Sequence, residues 1–377
     1  MRRRDFLQTI GCSIAASPFV TPMAFASGPW ENRLVVIILR GAMDGLDTVA
    51  PIGDLEFAKL RPSLGTQNHL ALDGFYALHP ALASLTPLWQ AGEFGAVQAV
   101  STPYRDVRSH FDGQDILEAG IVGPDGGARD GWLNRMIQTV PGLSGEVAYA
   151  IGTEHMRILD GDADISRWAP EARLSISAAA EQLLARVQHN DPLFRDASLE
   201  ALEIAETVAA EQPSGAGYLR AAQFAANRLR EETRIASFSV GGWDTHVRQE
   251  VALSRSLGRL AEVILTLKQG LGPDWQKTAV LCVTEFGRTV RENGTQGTDH
   301  GTGGAMLYAG GALRGRQVLG QWPGLTDLYA GRDLMPTRDI RAHIGWVMRG
   351  LFGLETSVIE GAVFPGLDLD PASGILL

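Results

Sequence analysis

The run Leu34–Leu39, LVVIIL, has no polar residue on either alternating face, and it breaks at once into Arg40-Gly41-Ala42-Met43-Asp44. A strand with one wet face alternates apolar with polar residues. An unalternating β-branched run suits a central parallel strand buried on both faces. The same theme recurs in FGAVQAVS (Phe94–Ser101), GEVAYAIG (Gly145–Gly152), RIASFSVGGWDTH (Arg234–His246) and TAVLCVTEFG (Thr278–Gly287). Between these runs lie helical patterns at Pro80–Gly92, Ser109–Gly120, Gly131–Val140 and Arg248–Gly270. Strands alternating with helices predict an α/β protein built on a mainly parallel sheet.

Residues 174–232 break the rhythm. They are rich in Ala, Leu, Glu and Arg, with pauses at Asp191-Pro192 and Pro213-Ser214-Gly215. Two readings stand: a helical insertion on the sheet, or ordinary crossover helices covering one face. Gly310–Leu325 reads as a late hairpin or edge strand. Thr337–Gly353 reads as a closing amphipathic helix with Ile340, Ile344, Val347, Met348 and Leu351 on its apolar side. His343 in that helix is expected at the surface or as a cap.

The first residues, MRRRDFLQTIGCSIAASPFVTPMAFAS, carry Arg3-Arg4-Asp5-Phe6-Leu7-Gln8, the twin-arginine export pattern, and then Ala24-Phe25-Ala26, an A-x-A cleavage site. Pro18 and Pro22 interrupt the apolar stretch, which is short for a bilayer span. Residues 1–26 are therefore expected to be a signal peptide and 27–377 a single α/β domain. The implied location is periplasmic or extracellular, reached folded through the twin-arginine translocase, without stable membrane insertion. Formal net charge is −10, and the segment 1–26 holds three Arg and one Asp, so its removal makes the balance more acidic. An acidic surface argues against nucleic acid and anionic lipid as main partners. Of the two cysteines, Cys12 lies in the signal segment and Cys282 in an apolar run, so no internal disulfide forms after cleavage.

Open α/β sheets hold ligands beyond the carboxyl ends of their strands. The first run ends at Asp44; the second leads into Ser101, Thr102 and YRDVRSHF; the Arg234 run ends in Gly-Gly-Trp-Asp244-Thr-His246; the next ends at Glu285, and its loop carries Asp299-His300. His110, His246 and His300 all fall in these loops, each close to an acid. Carboxylates with imidazoles suit a divalent metal: Zn, Mn or Fe, with Mg or Ca favoured by a harder oxygen set. Ser109 opens SHFD as an N-cap, with Asp112 at the capping-box position. It is either a cap only, or a hydroxyl activated by the partial positive charge of a helix start. His110 is read as a ligand, a ligand-orienting group or a packed imidazole. Arg108 and Arg288 are candidate clamps for an anion, or ordinary salt-bridge residues. Trp243 and Phe286 beside the acids read as shields against water. Asp125, Arg129 and Asp130 belong to a turn-rich loop.

The segments LRGAMDGLDTVAPIGDLEFAKLRPSL, RSHFDGQD, GGWDTH and TEFGRTVRENGTQGTDHG resemble the domain-of-unknown-function-1501 family of twin-arginine-exported bacterial proteins. That family is similar in turn to the alkaline phosphatase and sulfatase superfamily. The resemblance implies an alkaline-phosphatase-like, doubly wound α/β fold with helices on both faces and metals at the strand ends. It places Asp44 as the first metal-binding Asp, Asp244 and His246 as an Asp…His pair spaced more tightly than usual, and His300, with Asp299 beside it, as the final His. Glu285-Phe286 stands where the superfamily has Asp-His, so one ligand is missing. A one-metal site, or a rearranged pair using Asp299, is implied. The expected function is an exported metal-dependent hydrolase of an anionic phosphate or sulfate ester, small or on a glycan. The alternative is a non-catalytic exported binding or assembly protein on the same scaffold. A dinucleotide oxidoreductase is disfavoured, because no Gly-x-Gly-x-x-Gly follows the first strand.

Overall fold

The computed structural model describes residues 30–66, 68–122, 130–140, 147–151, 155–168, 216–369, 371–372 and 374–377. The signal segment, Asp125 and Arg129, and residues 174–215 of the expected helical insertion lie outside them. Among the described residues, nine strands form one sheet: β1 (Arg33–Arg40), β2 (Phe94–Ser101), β3 (Ala148–Ile151), β4 (Ser166–Trp168), β5 (Ile235–Gly241), β6 (Thr278–Val283), β7 (Gly304–Ala309), β8 (Val318–Leu319) and β9 (Arg338–Asp339). Their order is β8-β2-β7-β6-β1-β5-β3-β4, with β9 also paired to β2. The longer helices are α1 (His110–Ala119), α2 (Trp132–Gln138), α3 (Gly217–Leu229), α4 (Gln249–Leu271) and α5 (Ile340–Phe352).

The apolar run of β1 has the environment its composition asks for. Val35, Ile37 and Leu39 point into a core shared with α3 and α4, while Leu34, Val36 and Ile38 point into a second core shared with α2 and α5. Helices thus cover both faces, and β1 is flanked in parallel by β5 and β6. Each fully buried Leu or Ile contributes about 1.5–3 kcal/mol, so this strand anchors the domain. Cys282 is a free, fully buried core residue.

One strand departs from the parallel pattern. β7 runs antiparallel to both β2 and β6. The chain between β6 and β7, residues 284–303, carries no helix. A parallel return would need a crossover connection, whereas a loop can return only antiparallel beside its neighbour. The direct return brings Asp299-His300 back over the end of β6.

The described remainder of the expected insertion, α3, behaves as a crossover helix on the sheet face. It packs with α4, and its Phe224 stacks on Trp168 with ring centroids 4.0 Å apart. Gly310–Leu325 supplies the short strand β8 at the sheet edge, parallel to β2. The closing helix is α5, capped by the Asp339 side chain on Arg341 N and ended by Gly353 at φ 68°.

His343 overturns its sequence expectation. It is 1% exposed, inside α5, and neither ring nitrogen meets a hydrogen-bond partner among the described residues. Position 343 is buried because α5 is covered on more than the 340/344/347/351 stripe: Ile359, Leu367 and Leu369 also pack against it at Gly345, and Leu376 at Gly350. Burial pushes its pKa down to about 3. An unfolded chain takes up that proton near the ordinary value of 6.5, so stability is complete above that pH and falls as pH drops toward 3. The loss amounts to about 1.4 kcal/mol per pH unit from this group. In chemical denaturation between pH 6.5 and 4.5, His343→Leu will show a shallower acid slope than the parent. Parallel slopes would contradict the assignment.

Candidate metal centre

β1, β2, β5 and β6 end on one edge of the sheet, and β7 starts there. At the end of β1 the backbone turns through Gly41 (φ 119°) and Ala42 (φ 62°). A Cβ on Gly41 would lie 2.6 Å from the Asp244 backbone nitrogen, so only glycine lets the β1 and β5 ends approach this closely. The approach also aims the Gly41 N–H at Glu285 Oε1, 2.9 Å away.

Three histidines meet above this edge. His110 is the first residue of α1; its Nδ1 lies 2.8 Å from Glu285 Oε1. His246 follows β5, and its Nδ1 lies 3.0 Å from Asp299 Oδ1. His300 precedes β7, and its Nδ1 lies 2.9 Å from the Arg108 carbonyl oxygen. A carbonyl or an ionised carboxylate only accepts, so in each ring Nδ1–H donates and the Nε2 lone pair is left over. Those lone pairs converge. His246 Nε2 is 3.0 Å from His300 Nε2 and 2.9 Å from Asp244 Oδ1, and His300 Nε2 is 3.3 Å from the same oxygen. His110 Nε2 is buried without a hydrogen-bond partner, 3.5 Å from Asp244 Oδ2. His110, Asp244 and His300 form a group able to hold a metal ion, with ligand atoms all within 4.8 Å of one another.

Unprotonated nitrogens 3.0 Å apart repel unless a proton or a cation lies between them. A cation satisfies the His110 orphan as well, so the donor set fits a metal. Imidazoles held through Nδ1 by carboxylate or carbonyl acceptors are the outer-shell arrangement that fixes the tautomer of metal-ligating histidines and raises their basicity. The Glu285 hydrogen bond raises the pKa of His110 against the opposing effect of burial, whereas burial lowers that of His300. For Asp244, partial burial is outweighed by the Arg288 guanidinium at 2.6 Å, which holds the carboxyl below its usual range.

The other expected site residues take up supporting places. Glu285, fully buried, accepts from Gly41 N, His110, Gln114 Nε2 and Thr284 Oγ1, so it backs a ligand instead of facing the cluster. Despite burial these bonds keep it ionised, with its pKa lowered. Asp299 likewise stands behind His246, with Asn293 Nδ2 donating to it at 3.1 Å. Arg288 is 1% exposed, and its donors end on Ala42 O, Gly41 O, Trp243 O, Thr298 O and Asp244, with Nη1 also 3.5 Å from His246 Nε2. It is a brace for Asp244 and the strand ends, with no arm turned outward for an anion. Arg108 keeps more freedom: one arm bonds buried Asp333 at 3.1 Å, and its Nε has no partner among the described residues. Ser109 caps α1, its Oγ accepting from Asp112 N at 3.4 Å. Phe286 lies against His110 in a stacked arrangement, centroids 5.3 Å apart, which fits the shield reading; Trp243 is fully buried and bonds Val240 O.

Asp44 is placed elsewhere. Its carboxylate is fully buried and spent on Arg61 (2.6 Å), Gln249 Nε2 (2.7 Å) and the backbone N–H groups of Leu46 and Asp47. Burial is outweighed by Arg61, so its pKa is lowered. The guanidinium supplies the positive charge that a metal was expected to supply. Arg61, Gln249, Gln114 and Asp333 escaped the sequence reading. Only Arg61, in FAKLRP soon after the strand-end acid, carried a signal: a lone cation near a carboxylate destined for burial.

The model of a family described as "protein of unknown function", DUF1501, matches residues 98–346, about two thirds of the chain. The chain belongs to the DUF1501 family. All three histidines of the cluster, with Asp244, Glu285 and Asp299, lie inside the matched span of this DUF1501 protein. No curated protein matches the chain in sequence. Solved structures similar to it include a protein in the alkaline phosphatase superfamily from Vibrio parahaemolyticus (12% identity, 82% of this chain and 69% of that one, TM-score 0.36). Another is the C-terminal periplasmic domain of EcEptC from Escherichia coli (9%, 76% and 75%, TM-score 0.37). A third is a putative sulfatase from Bacteroides thetaiotaomicron (8%, 89% and 75%, TM-score 0.40). Among the described residues, no helix is long and apolar enough to cross a membrane.

Proposed function

We propose that this chain is an exported, metal-dependent hydrolase of phosphate or sulfate esters. The observation that carries the reading is the shared anchoring of His110, His246 and His300 through Nδ1, which turns their Nε2 atoms toward Asp244. Three imidazoles and one carboxylate suit Zn, Mn or Fe better than Mg or Ca, which prefer oxygen shells. When bound, such an ion would supply Lewis acidity toward the transferring group. The rest of the work belongs to the chain's own residues. Glu285, Asp299 and the Arg108 carbonyl hold the ring orientations, and Phe286 excludes water from one side of His110. The partly exposed Arg108 guanidinium, with Asp333 fixing one of its arms, is suited to an anionic ester oxygen. Ser109, next to His110, is the candidate nucleophile; as a cap its oxygen only accepts, so the hydroxyl proton is not needed for that role.

Turnover of phospho- and sulfo-esters by protein loaded with each divalent metal tests the activity. If Ser109 is the nucleophile, Ser109→Ala lowers kcat by about three orders of magnitude or more, with metal binding retained. Unchanged turnover in that variant would assign the attack to water. A second reading, an exported binding protein, draws on the full internal engagement of Arg288, which leaves anion recognition resting on Arg108. Stoichiometric metal without turnover of any ester would favour it.

A further inference from the structure

The surface around the centre carries an apolar feature that holding a metal and an anion does not require. Val107 and Phe111 bracket Arg108, Ser109 and His110, and they are 67% and 86% exposed. Val247 directly follows His246, and Val251 stands in the first turn of α4; they are 55% and 60% exposed. These four make up half of the strongly exposed large apolar residues among the described residues. The two segments that carry them are drawn together by the cluster itself: Arg108 O holds His300 Nδ1 at 2.9 Å, and His300 Nε2 is 3.0 Å from His246 Nε2. Apolar side chains therefore stand beside the centre on both the α1 side and the α4 side. Scattered single exposures need no explanation, but exposures gathered around one polar cluster mark a binding surface.

We infer that the substrate is an amphiphile: an anionic phosphate or sulfate ester whose apolar group lies against Phe111, Val107, Val247 and Val251 while its head reaches the His110, His246, His300 and Asp244 cluster. This rests on the function proposed above and adds the chemistry of the ester's organic part. A single amphiphile fits better than docking on an anionic bilayer, because the chain has a formal net charge of −10 and anionic surfaces repel such a protein. Phe111 has a second geometric role available. It follows His110 at the start of α1, so a ligand alkyl group seated on it is next to the imidazole whose Nε2 has no partner.

The test is calorimetric binding to metal-loaded protein below the micellar range. The probes are inorganic phosphate and sulfate as bare heads, then monoalkyl phosphates and sulfates from ethyl to hexyl. Affinity is expected to tighten about twofold per methylene, half of what full burial of a CH₂ gives. In the double variant Phe111→Ser, Val247→Ser, both at exposed positions, the chain-length dependence should disappear while the dissociation constant of the inorganic anion is unchanged. Equal affinity for ethyl and hexyl heads would overturn the inference and leave the hydrolase reading standing. Chain-length dependence that survives the double variant would also overturn it, by placing the apolar contact elsewhere. Failure of both inorganic anions to bind metal-loaded protein would remove the hydrolase reading and this inference together.

Discussion

Replacing Arg61 with methionine will destabilise the domain by about 3–5 kcal/mol, the usual consequence of leaving a buried charge without its partner. Asp44 and Arg61 are both fully buried, and their oxygen and nitrogen are 2.6 Å apart. The guanidinium also donates to Val290 O and Thr289 O, at 2.8 and 2.7 Å, so its loss strips two carbonyls of the β6–β7 loop as well. The double variant Asp44→Asn, Arg61→Met should recover part of the loss. Asn keeps an oxygen for the N–H groups of Leu46 and Asp47, and the pair itself leaves no unpaired charge behind. Urea denaturation of the parent and these two variants reads this directly. An Arg61→Met protein of parent stability that takes up an additional equivalent of metal would show Asp44 to be a ligand after all.

The second large effect separates the residues that face the cluster from those behind it. His300→Ala removes an Nε2 from the centre and will abolish stoichiometric metal binding. Glu285→Gln keeps all the ligands but weakens the acceptor behind His110, and outer-shell changes of this kind cost about 10–100-fold in metal affinity. The variant should still load fully at high metal concentration. Isothermal titration with zinc distinguishes the two. Complete loss of binding in Glu285→Gln, with retention in His300→Ala, would reverse the assigned roles.

Much of this arrangement was legible in the sequence because it is written in strand ends. Apolar runs that stop at a carboxylate or lead into a histidine fix which residues share one sheet edge, and Asp244, His246, Glu285, Asp299 and His300 were found in this way. His110 was found as the residue after a cap. What could not be read was the division of labour. A carboxylate at a strand end looks the same whether it faces the histidine cluster, as Asp244 does, backs a histidine, as Glu285 does, or meets an arginine, as Asp44 does with Arg61. That choice depends on a pairing across residues far apart in the chain. The antiparallel β7 was missed for a similar reason, since Gly304–Ala309 is short and follows a glycine-rich loop that masks the strand's start. His343 was misplaced because a helical stripe read from the strongest apolar positions understates how much of a helix is covered once the C-terminal segment packs on it as well.

Anomalous diffraction from crystals grown after loading with zinc, recorded at the zinc edge, decides whether the three imidazoles and Asp244 hold an ion. One peak per chain is expected, bonded to Nε2 of His110, His246 and His300 and to the Asp244 carboxylate, with Glu285 and Asp299 still on the far side of their imidazoles. No peak in that position, or a peak held by Asp44 and Glu285, would contradict that assignment.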